Sequence, residues 1–247
     1  MNICTDFFSM HSPHIFRIYS ASHIISLLII VLVIISSLFL IKRKSNRKKQ
    51  IFKLVLGWSA LITQIVYTIW ICKNGVFSIK DSLPLNICSV SLILIFLSVM
   101  VRKKVVINLL YFWGLPGTVY ALLFPNLMFG FPHFRFFEFF IAHAIILWMV
   151  LYYLIIEKLD ISNSDMIVSY VLTIGYLSAI IFLNEILRSN YLYLRRKPVF
   201  ESFFDLLGSN YQIKLFCGLF FLFKILQIPF VLKKFKRIQT GLNNKKS

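Results

Sequence analysis

Two side chains in this sequence, the thiol of Cys88 and the imidazole of His143, are of the types that together perform nucleophilic catalysis. A cysteine attacks as its thiolate, and a nearby histidine acts as the base that removes the thiol proton. Cys88 stands in the stretch LPLNICSVS, and His143 stands in FIAHAIIL. A lone cysteine in an apolar helix is more often a small buried side chain, so the structural alternative stays open at this point.

The composition of the chain decides what kind of protein must position these residues. The chain has 247 residues, of which 59% are hydrophobic and 15% charged, and its mean hydropathy is +0.80. Soluble domains average about a quarter charged residues, and a soluble domain of this length has too little interior to bury so much apolar surface. We therefore expect an integral membrane protein.

Apolar stretches of about 18 to 25 residues are long enough to cross a bilayer as helices. Seven occur, at residues 22–41, 51–72, 83–101, 105–125, 134–156, 166–187 and 210–232. Gly114, Pro116 and Gly117 interrupt the fourth and favour a kink there. The predicted fold class is all-α, a polytopic membrane helix bundle with about seven transmembrane helices. We expect one seven-span domain over residues 1–232 and a basic cytoplasmic tail over residues 233–247.

The distribution of basic residues predicts the orientation. Of the 27 Lys and Arg residues, 17 lie in the first, third and fifth linkers and the C-terminal tail. Cytoplasmic loops retain such residues, so we expect the N-terminus outside and the C-terminus in the cytoplasm of a multi-pass protein of the cell membrane. The net charge of +18 is then explained by topology and by anionic phospholipids, and no nucleic-acid partner is expected.

Polar residues within the spans concentrate in their outer halves. Intramembrane polar groups are costly and usually face a cavity or a partner, so we predict a polar cavity open to the outside. Interhelical hydrogen bonding is the alternative for any single residue. The predicted substrate-binding residues are Gln64, Tyr67, Asn86, His133, Asn184, Glu185 and Asn190.

The depth of the two chemical groups follows from the helical rise of 1.5 Å per residue. If the third span begins near Leu83, Cys88 lies about 8 Å below the outer boundary. His143 is the only histidine well inside a span, about 15 Å from the start of the fifth. The spacing of the four cysteines matches no metal site, so no metal and no cofactor is expected.

Three further features each leave two interpretations open. The phenylalanines of FPHFRFFEFFIAHA either pack against helices and lipid or line a tunnel for an acyl chain. Glu138 either pairs with Arg135 or His133 or orients a histidine, although it faces away from His143 on the same helix. The outer loop at residues 188–209 is either an interfacial lid or a connector.

Several segments in order resemble the YwaF-like family of bacterial seven-span membrane proteins. These segments are LPLNICSVS, YFWGLPGTVYALLFPNL, FPHFRFFEFFIAHA, and NYLYLRRKP followed by SFFDLLG. That family is similar to an animal transmembrane acyltransferase that moves fatty acyl chains into ether phospholipids. The resemblance covers residues 20–232. It implies that Cys88 and His143 correspond to that enzyme's proposed catalytic cysteine and histidine.

The resemblance implies acyl transfer in two steps. His143 would deprotonate Cys88, and the resulting acyl-thioester would pass the acyl group to a lysolipid, another acceptor or water. Asn86, Gln64 and Asn184 are candidate oxyanion donors by residue type. Two alternatives from other classes remain: a transporter with an outward vestibule, and a membrane sensor or assembly protein without catalysis. The oligomeric state is left open by the sequence.

Overall fold

A computed structural model describes residues 7–10, 14–196 and 211–243, and the helices that it describes account for all seven predicted spans. They are α1 (Ala21–Lys42), α2 (Asn46–Lys73), α3 (Ile87–Val101), α4 (Lys104–Leu123), α5 (Phe134–Ile155), α6 (Asn163–Leu187) and α7 (Tyr211–Asn243). Within the described residues there is no β-strand beyond an isolated bridge between Ile15 and Phe129. The predicted all-α class is confirmed.

Six of these helices are long and apolar enough to cross a membrane: α1, α2, α4, α5, α6 and the part Lys214–Lys234 of α7. The chain divides into two compact units, Met1–Lys158 and Leu159–Ser247. Unit 1 contains α1 to α5, and unit 2 contains α6, a 3-10 turn at Tyr191–Tyr193, and α7. The orientation of the termini stays a prediction.

Helix α3 is shorter than its predicted span and begins at Ile87, four residues after the expected start at Leu83. Pro84 disfavours helical geometry in the residue before it, and Asn86 is extended as the N-cap residue, with φ of −71° and ψ of 146°. Its 15 residues span only about 22 Å at 1.5 Å per residue. Cys88 is therefore the second residue of the helix and lies in its first turn, which corrects the depth of about 8 Å expected from a helix starting at Leu83.

Helix α5 is the central element of unit 1. It packs against α1, α2, α3 and α4, and 61% of its apolar window is buried, compared with 17% for α1. A glycine permits the close approach of α4, since a Cβ atom at Gly114 would lie 2.9 Å from Cγ2 of Ile146. Helix α4 continues through Pro116 to Leu123. The helix that carries His143 is thus held on several sides.

In unit 2, short polar contacts fix the first part of α6. At its start, Ser162 and Asp165 form a capping box, which satisfies backbone N–H groups that the first helical turn leaves unpaired. Nε2 of Gln227 on α7 donates to Oδ1 of Asn163 over 2.6 Å. The hydroxyl of Tyr170 donates to the Phe216 carbonyl over 3.2 Å. These bonds join α6 to α7 within the unit.

Candidate functional site

His143 lies near the middle of α5 and is 7% exposed. Its Nδ1 lies 2.7 Å from the Phe139 carbonyl oxygen. Because a carbonyl oxygen only accepts, Nδ1 carries a proton, and in the neutral ring Nε2 then keeps its lone pair. Nε2 has no hydrogen-bond partner among the described residues. In its neutral form the imidazole therefore has one nitrogen without a partner, Nε2, that is available to accept a proton.

The buried imidazole of His23 is bound at both nitrogens. Its Nδ1 accepts from the backbone N–H of Tyr19 over 3.0 Å, and its Nε2 donates to the Leu122 carbonyl over 2.8 Å. His23 thereby connects the start of α1 to the end of α4, and the residue is fully buried. We assign it a structural role.

His133, a predicted substrate-binding residue, is also bound at both nitrogens. It caps α5, since its Nδ1 accepts from the backbone N–H of Arg135 over 3.1 Å, and its Nε2 donates to the Ser9 carbonyl over 2.8 Å. The ring stacks on Phe129 with centroids 4.1 Å apart. Burial lowers the pKa of His133 from 6.5, as expected for a ring whose Nδ1 is an acceptor.

Cys88 is half-buried in the first turn of α3, whereas Cys72 and Cys217 are exposed. Its sulfur makes no hydrogen bond within the part of the chain that the structure describes, and this includes His143. Partial burial disfavours a thiolate, so ionisation of Cys88 needs a proton acceptor. The N-terminus of a helix favours negative charge near it. The pairing of Cys88 with His143 stays a prediction.

Gln64 and Tyr67 lie on α2, which packs against both α3 and α5. The side-chain amide of Gln64 is without a hydrogen-bond partner among the residues described, although the residue is only 7% exposed. The guanidinium carbon of Arg135 lies 4.2 Å from the centroid of the Tyr67 ring. Arg135 also forms an ion pair with Glu138. Glu138 therefore has the structural partner that the sequence offered as one of its alternatives.

Two buried hydroxyls near the start of α3 were not among the predicted site residues. Ser91 and Thr118 are both fully buried, and neither Oγ of Ser91 nor Oγ1 of Thr118 has a partner in the described part of the chain. Buried polar groups are normally hydrogen-bonded. Ser91 lies one helical turn after Cys88 and shares its face, so this spacing was the signal that sequence reasoning missed.

Asn86 precedes α3 as its N-cap residue and is exposed, and its side chain makes no capping bond. A backbone N–H at the start of a helix is normally capped by such a side chain. Its amide is thus not committed to the helix that carries Cys88. The role of Asn86 in substrate binding stays a prediction.

In unit 2, the predicted residues Asn184, Glu185 and Asn190 organise the segment that follows α6. Oδ1 of Asn184 accepts from Ser189 and from the backbone of Tyr191, while its Nδ2 donates to the Tyr191 carbonyl. Glu185 pairs with Arg195 over 3.3 Å. Asn190 binds backbone atoms of Arg195 and Arg196. Residues 197–209 of the predicted lid lie outside the described residues.

An apolar groove of about 510 Å³ runs between α1 and α5. Its wall on the α5 side consists mainly of phenylalanine rings, from Phe131, Phe136, Phe137 and Phe140. The α1 side contributes Ile25 and Ile29 together with two serines. A groove with this lining accepts a hydrocarbon chain and offers little to a polar ligand.

Comparison with known proteins gives one match. The TMEM164 family model, which describes a transmembrane protein family, matches residues 18–228. The matched range includes Cys88, His143 and every predicted substrate-binding residue. No curated protein and no solved structure matches the chain significantly.

Proposed function

The chain belongs to the TMEM164 family, and from this premise we propose that it is a lipid acyltransferase of the cell membrane with a Cys-His site. Cys88 is the nucleophile, and His143 is the general base. The observation that carries the proposal is the free Nε2 of a buried His143 in the same unit as a half-buried Cys88. The resemblance to the YwaF-like family and to an ether-phospholipid acyltransferase supports the same pair.

In the first half of the reaction, Nε2 of His143 takes the proton of the Cys88 thiol. The thiolate attacks the carbonyl carbon of a phospholipid ester and forms a tetrahedral oxyanion. The carbon–oxygen bond of the ester then breaks, and His143 returns its proton to the departing lysolipid alkoxide. The products of this half are a thioester on Cys88, a lysolipid and a neutral His143.

In the second half, the hydroxyl of an acceptor lipid approaches the thioester. Nε2 of His143 removes the hydroxyl proton while the oxygen attacks the thioester carbonyl, and the proton passes to the departing sulfur of Cys88. A lysolipid acceptor gives acyl transfer, whereas water in the same position gives hydrolysis. Both halves thus use one base, which must be neutral at the start of each.

Among the candidate oxyanion donors, the hydrogen-bonding pattern disfavours Asn184, whose amide already donates to the Tyr191 carbonyl. The amides of Gln64 and Asn86 are free of partners in the described residues, and of these two residues only Gln64 is buried. A donor aimed at the developing oxyanion must not be committed elsewhere. Gln64 lies on α2, which packs against both helices that carry the proposed pair.

The groove between α1 and α5 supplies a place for the acyl chain. Its phenylalanine wall belongs to α5, the helix that carries His143. Holding a long apolar chain along this helix would reduce the motional freedom of the ester, which lowers the entropic cost of the reaction. Hydrogen bonds between catalytic groups often form fully only when substrate is bound. Substrate binding would therefore bring Cys88 within hydrogen-bond distance of His143.

The test uses the purified full chain in detergent with a phospholipid that carries a fluorescent acyl chain. We expect an acyl adduct on Cys88 that hydroxylamine removes, as a thioester requires. The adduct should be lost in Cys88→Ala and should form at least about 100-fold more slowly in His143→Ala. Cys72→Ala and Cys217→Ala are matched controls and should label normally. Equal, slow labelling of all cysteines would overturn the proposal in favour of transport or partner binding.

A further inference from the structure

A second polar site lies at the opposite end of α3 from Cys88. It is a groove of about 440 Å³ lined by the start of α2, the end of α3, the start of α4 and the end of α5. Arg102, which follows α3, is 14 residues from Cys88, a separation of about 21 Å along a helix. The proposed acyl transfer makes no use of this groove.

The lining of the groove includes an ion pair between a buried lysine and a more exposed glutamate. Nζ of Lys53 lies 2.6 Å from Oε1 of Glu157, and the Lys53 side chain is 6% exposed. The ammonium group also lies 5.7 Å from the centroid of the Tyr153 ring. Buried charges are tolerated when they are paired. The negative charge of Glu157 is therefore already taken up by Lys53.

Two further cations line the same groove, Lys49 and Arg102. Neither has a carboxylate partner within ion-pair distance among the described residues. The Lys49 backbone is fixed, since its carbonyl accepts from the Tyr152 hydroxyl over 3.0 Å. Arg102 is held in the left-handed conformation with φ of 54°, which is costly for a residue with a side chain. The groove thus has a net positive charge.

The remaining lining groups suit a phosphate ester. Asn46 and Gln50 provide amide donors, and the first turn of α2 has no side-chain cap on its N–H groups. Such uncapped N–H groups attract anions. Ile107 and Ile156 add apolar walls, which a soluble anion does not need but the glycerol and first methylenes of a lipid do.

We propose that this groove, defined by Asn46, Lys49, Gln50, Lys53, Arg102 and Glu157, binds the phosphate of an anionic phospholipid headgroup. Lys49 and Arg102 contact the phosphate, while the ion pair between Lys53 and Glu157 holds α2 and α5 together beside it. The bound lipid is a stabilising ligand and not the acyl donor. The site does not depend on Cys88 or His143, so its test is independent of the proposed reaction.

The test is native mass spectrometry of the full chain titrated with phosphatidylglycerol, with phosphatidylcholine and inorganic phosphate as separate arms. We expect Lys49→Gln and Arg102→Gln each to weaken phosphatidylglycerol binding about fivefold. Lys48→Gln is the matched control, because Lys48 is an exposed neighbour that does not line the groove. Its affinity should remain unchanged.

Three results would overturn the proposal. An equal loss in Lys48→Gln would mean that the lipid responds to general surface charge and not to the groove. Displacement of the lipid by inorganic phosphate at equal concentration would mean a site for soluble anions. Unchanged binding in the Lys49→Gln, Arg102→Gln double variant would mean that the lipid binds elsewhere.

Discussion

His133 and His143 are both buried in the stretch of chain that forms α5, yet their imidazoles are used in opposite ways. Both nitrogens of His133 are bound, one to the backbone of Arg135 and the other to the Ser9 carbonyl. His143 is bound only at Nδ1. An imidazole whose two nitrogens are both hydrogen-bonded stabilises the fold, whereas an imidazole with one free nitrogen is available for chemistry.

The same contrast separates two buried amides. Asn184 uses both ends of its side chain to hold the segment after α6, whereas Gln64 has no partner in the described residues. Residue type and depth in the membrane do not distinguish these cases, since all four residues are polar and intramembrane or interfacial. What distinguishes them is which atoms remain unbound after folding.

The largest expected effect concerns His143. His143→Ala should lower the rate of Cys88 acylation by about 100- to 10,000-fold, the range that a positioned general base contributes. Its melting temperature should fall modestly, because the hydrogen bond to the Phe139 carbonyl and the contact with the Phe139 ring are both lost. The measurement is single-turnover acylation together with a thermal melt. A rate loss in His133→Ala as large as that in His143→Ala would contradict the distinction between the two histidines.

The next effect concerns Gln64. Gln64→Leu keeps the volume of the side chain and removes its amide, and we expect acylation of Cys88 to slow about 100-fold as for the loss of one oxyanion donor. Stability should change little, since the amide has no hydrogen bond to lose among the described residues. Thr63→Val on the same helix is the control, because the Thr63 hydroxyl bonds only to the Ser59 carbonyl. An unchanged rate in Gln64→Leu would exclude Gln64 as the donor.

For His133 the expected effect is on stability. His133→Ala removes the cap of α5 and the bond to the Ser9 carbonyl, which together contribute about 2 kcal/mol. His133→Asn keeps a capping group and should recover about half of the loss. Chemical denaturation in detergent gives both values. Equal stability of the wild type, His133→Ala and His133→Asn would show that the hydrogen bonds of the His133 imidazole do not stabilise the fold.

The pH dependence of stability provides a second measurement for His133. Burial lowers the pKa of His133 in the folded chain from 6.5, so the unfolded chain binds a proton first as the pH falls. The contribution of His133 to stability is therefore complete above its unfolded pKa and declines as the pH falls towards the folded one. This component of the pH profile should be absent from His133→Ala.

Much of the fold was predictable because apolar length and turn residues are local properties. The fifth span was expected at residues 134–156, and α5 occupies Phe134–Ile155. The start of α3 was wrong by four residues because hydropathy does not register the constraint that Pro84 imposes. The start of α2 at Asn46 precedes its apolar stretch, since a helix continues into polar residues at the membrane surface.

The site was less predictable because hydrogen-bond partners are distant in sequence. His133 binds a carbonyl 124 residues away, and no spacing in the sequence reveals this. The free nitrogen of His143 was equally invisible, since it depends on what the neighbouring helices do not offer. The sequence indicates Cys88 and His143 by residue type and by depth in the span. The structure adds that Nδ1 of His143 carries a proton.

The smallest expected effect concerns two serines of α3, one with hydrogen-bond partners and one without. Oγ of Ser98 donates to the Ile95 carbonyl over 2.7 Å and accepts from the Tyr153 hydroxyl over 2.8 Å. Oγ of Ser91 has no partner among the described residues, although both serines are buried. Ser98→Ala should therefore destabilise the protein by about 1 kcal/mol, because it leaves the Tyr153 hydroxyl unpaired.

Ser91→Ala should be neutral or stabilising by up to about 1 kcal/mol, since it removes a hydroxyl that is desolvated without compensation. Parallel denaturation of the two variants measures the difference directly. If Ser91→Ala instead slows Cys88 acylation, the hydroxyl one turn beyond the nucleophile belongs to the reaction and not merely to the packing. If both variants lose the same stability, the Ser91 hydroxyl has a hydrogen-bond partner after all. The use of unpartnered atoms to separate His143 from His133 would then be wrong as well.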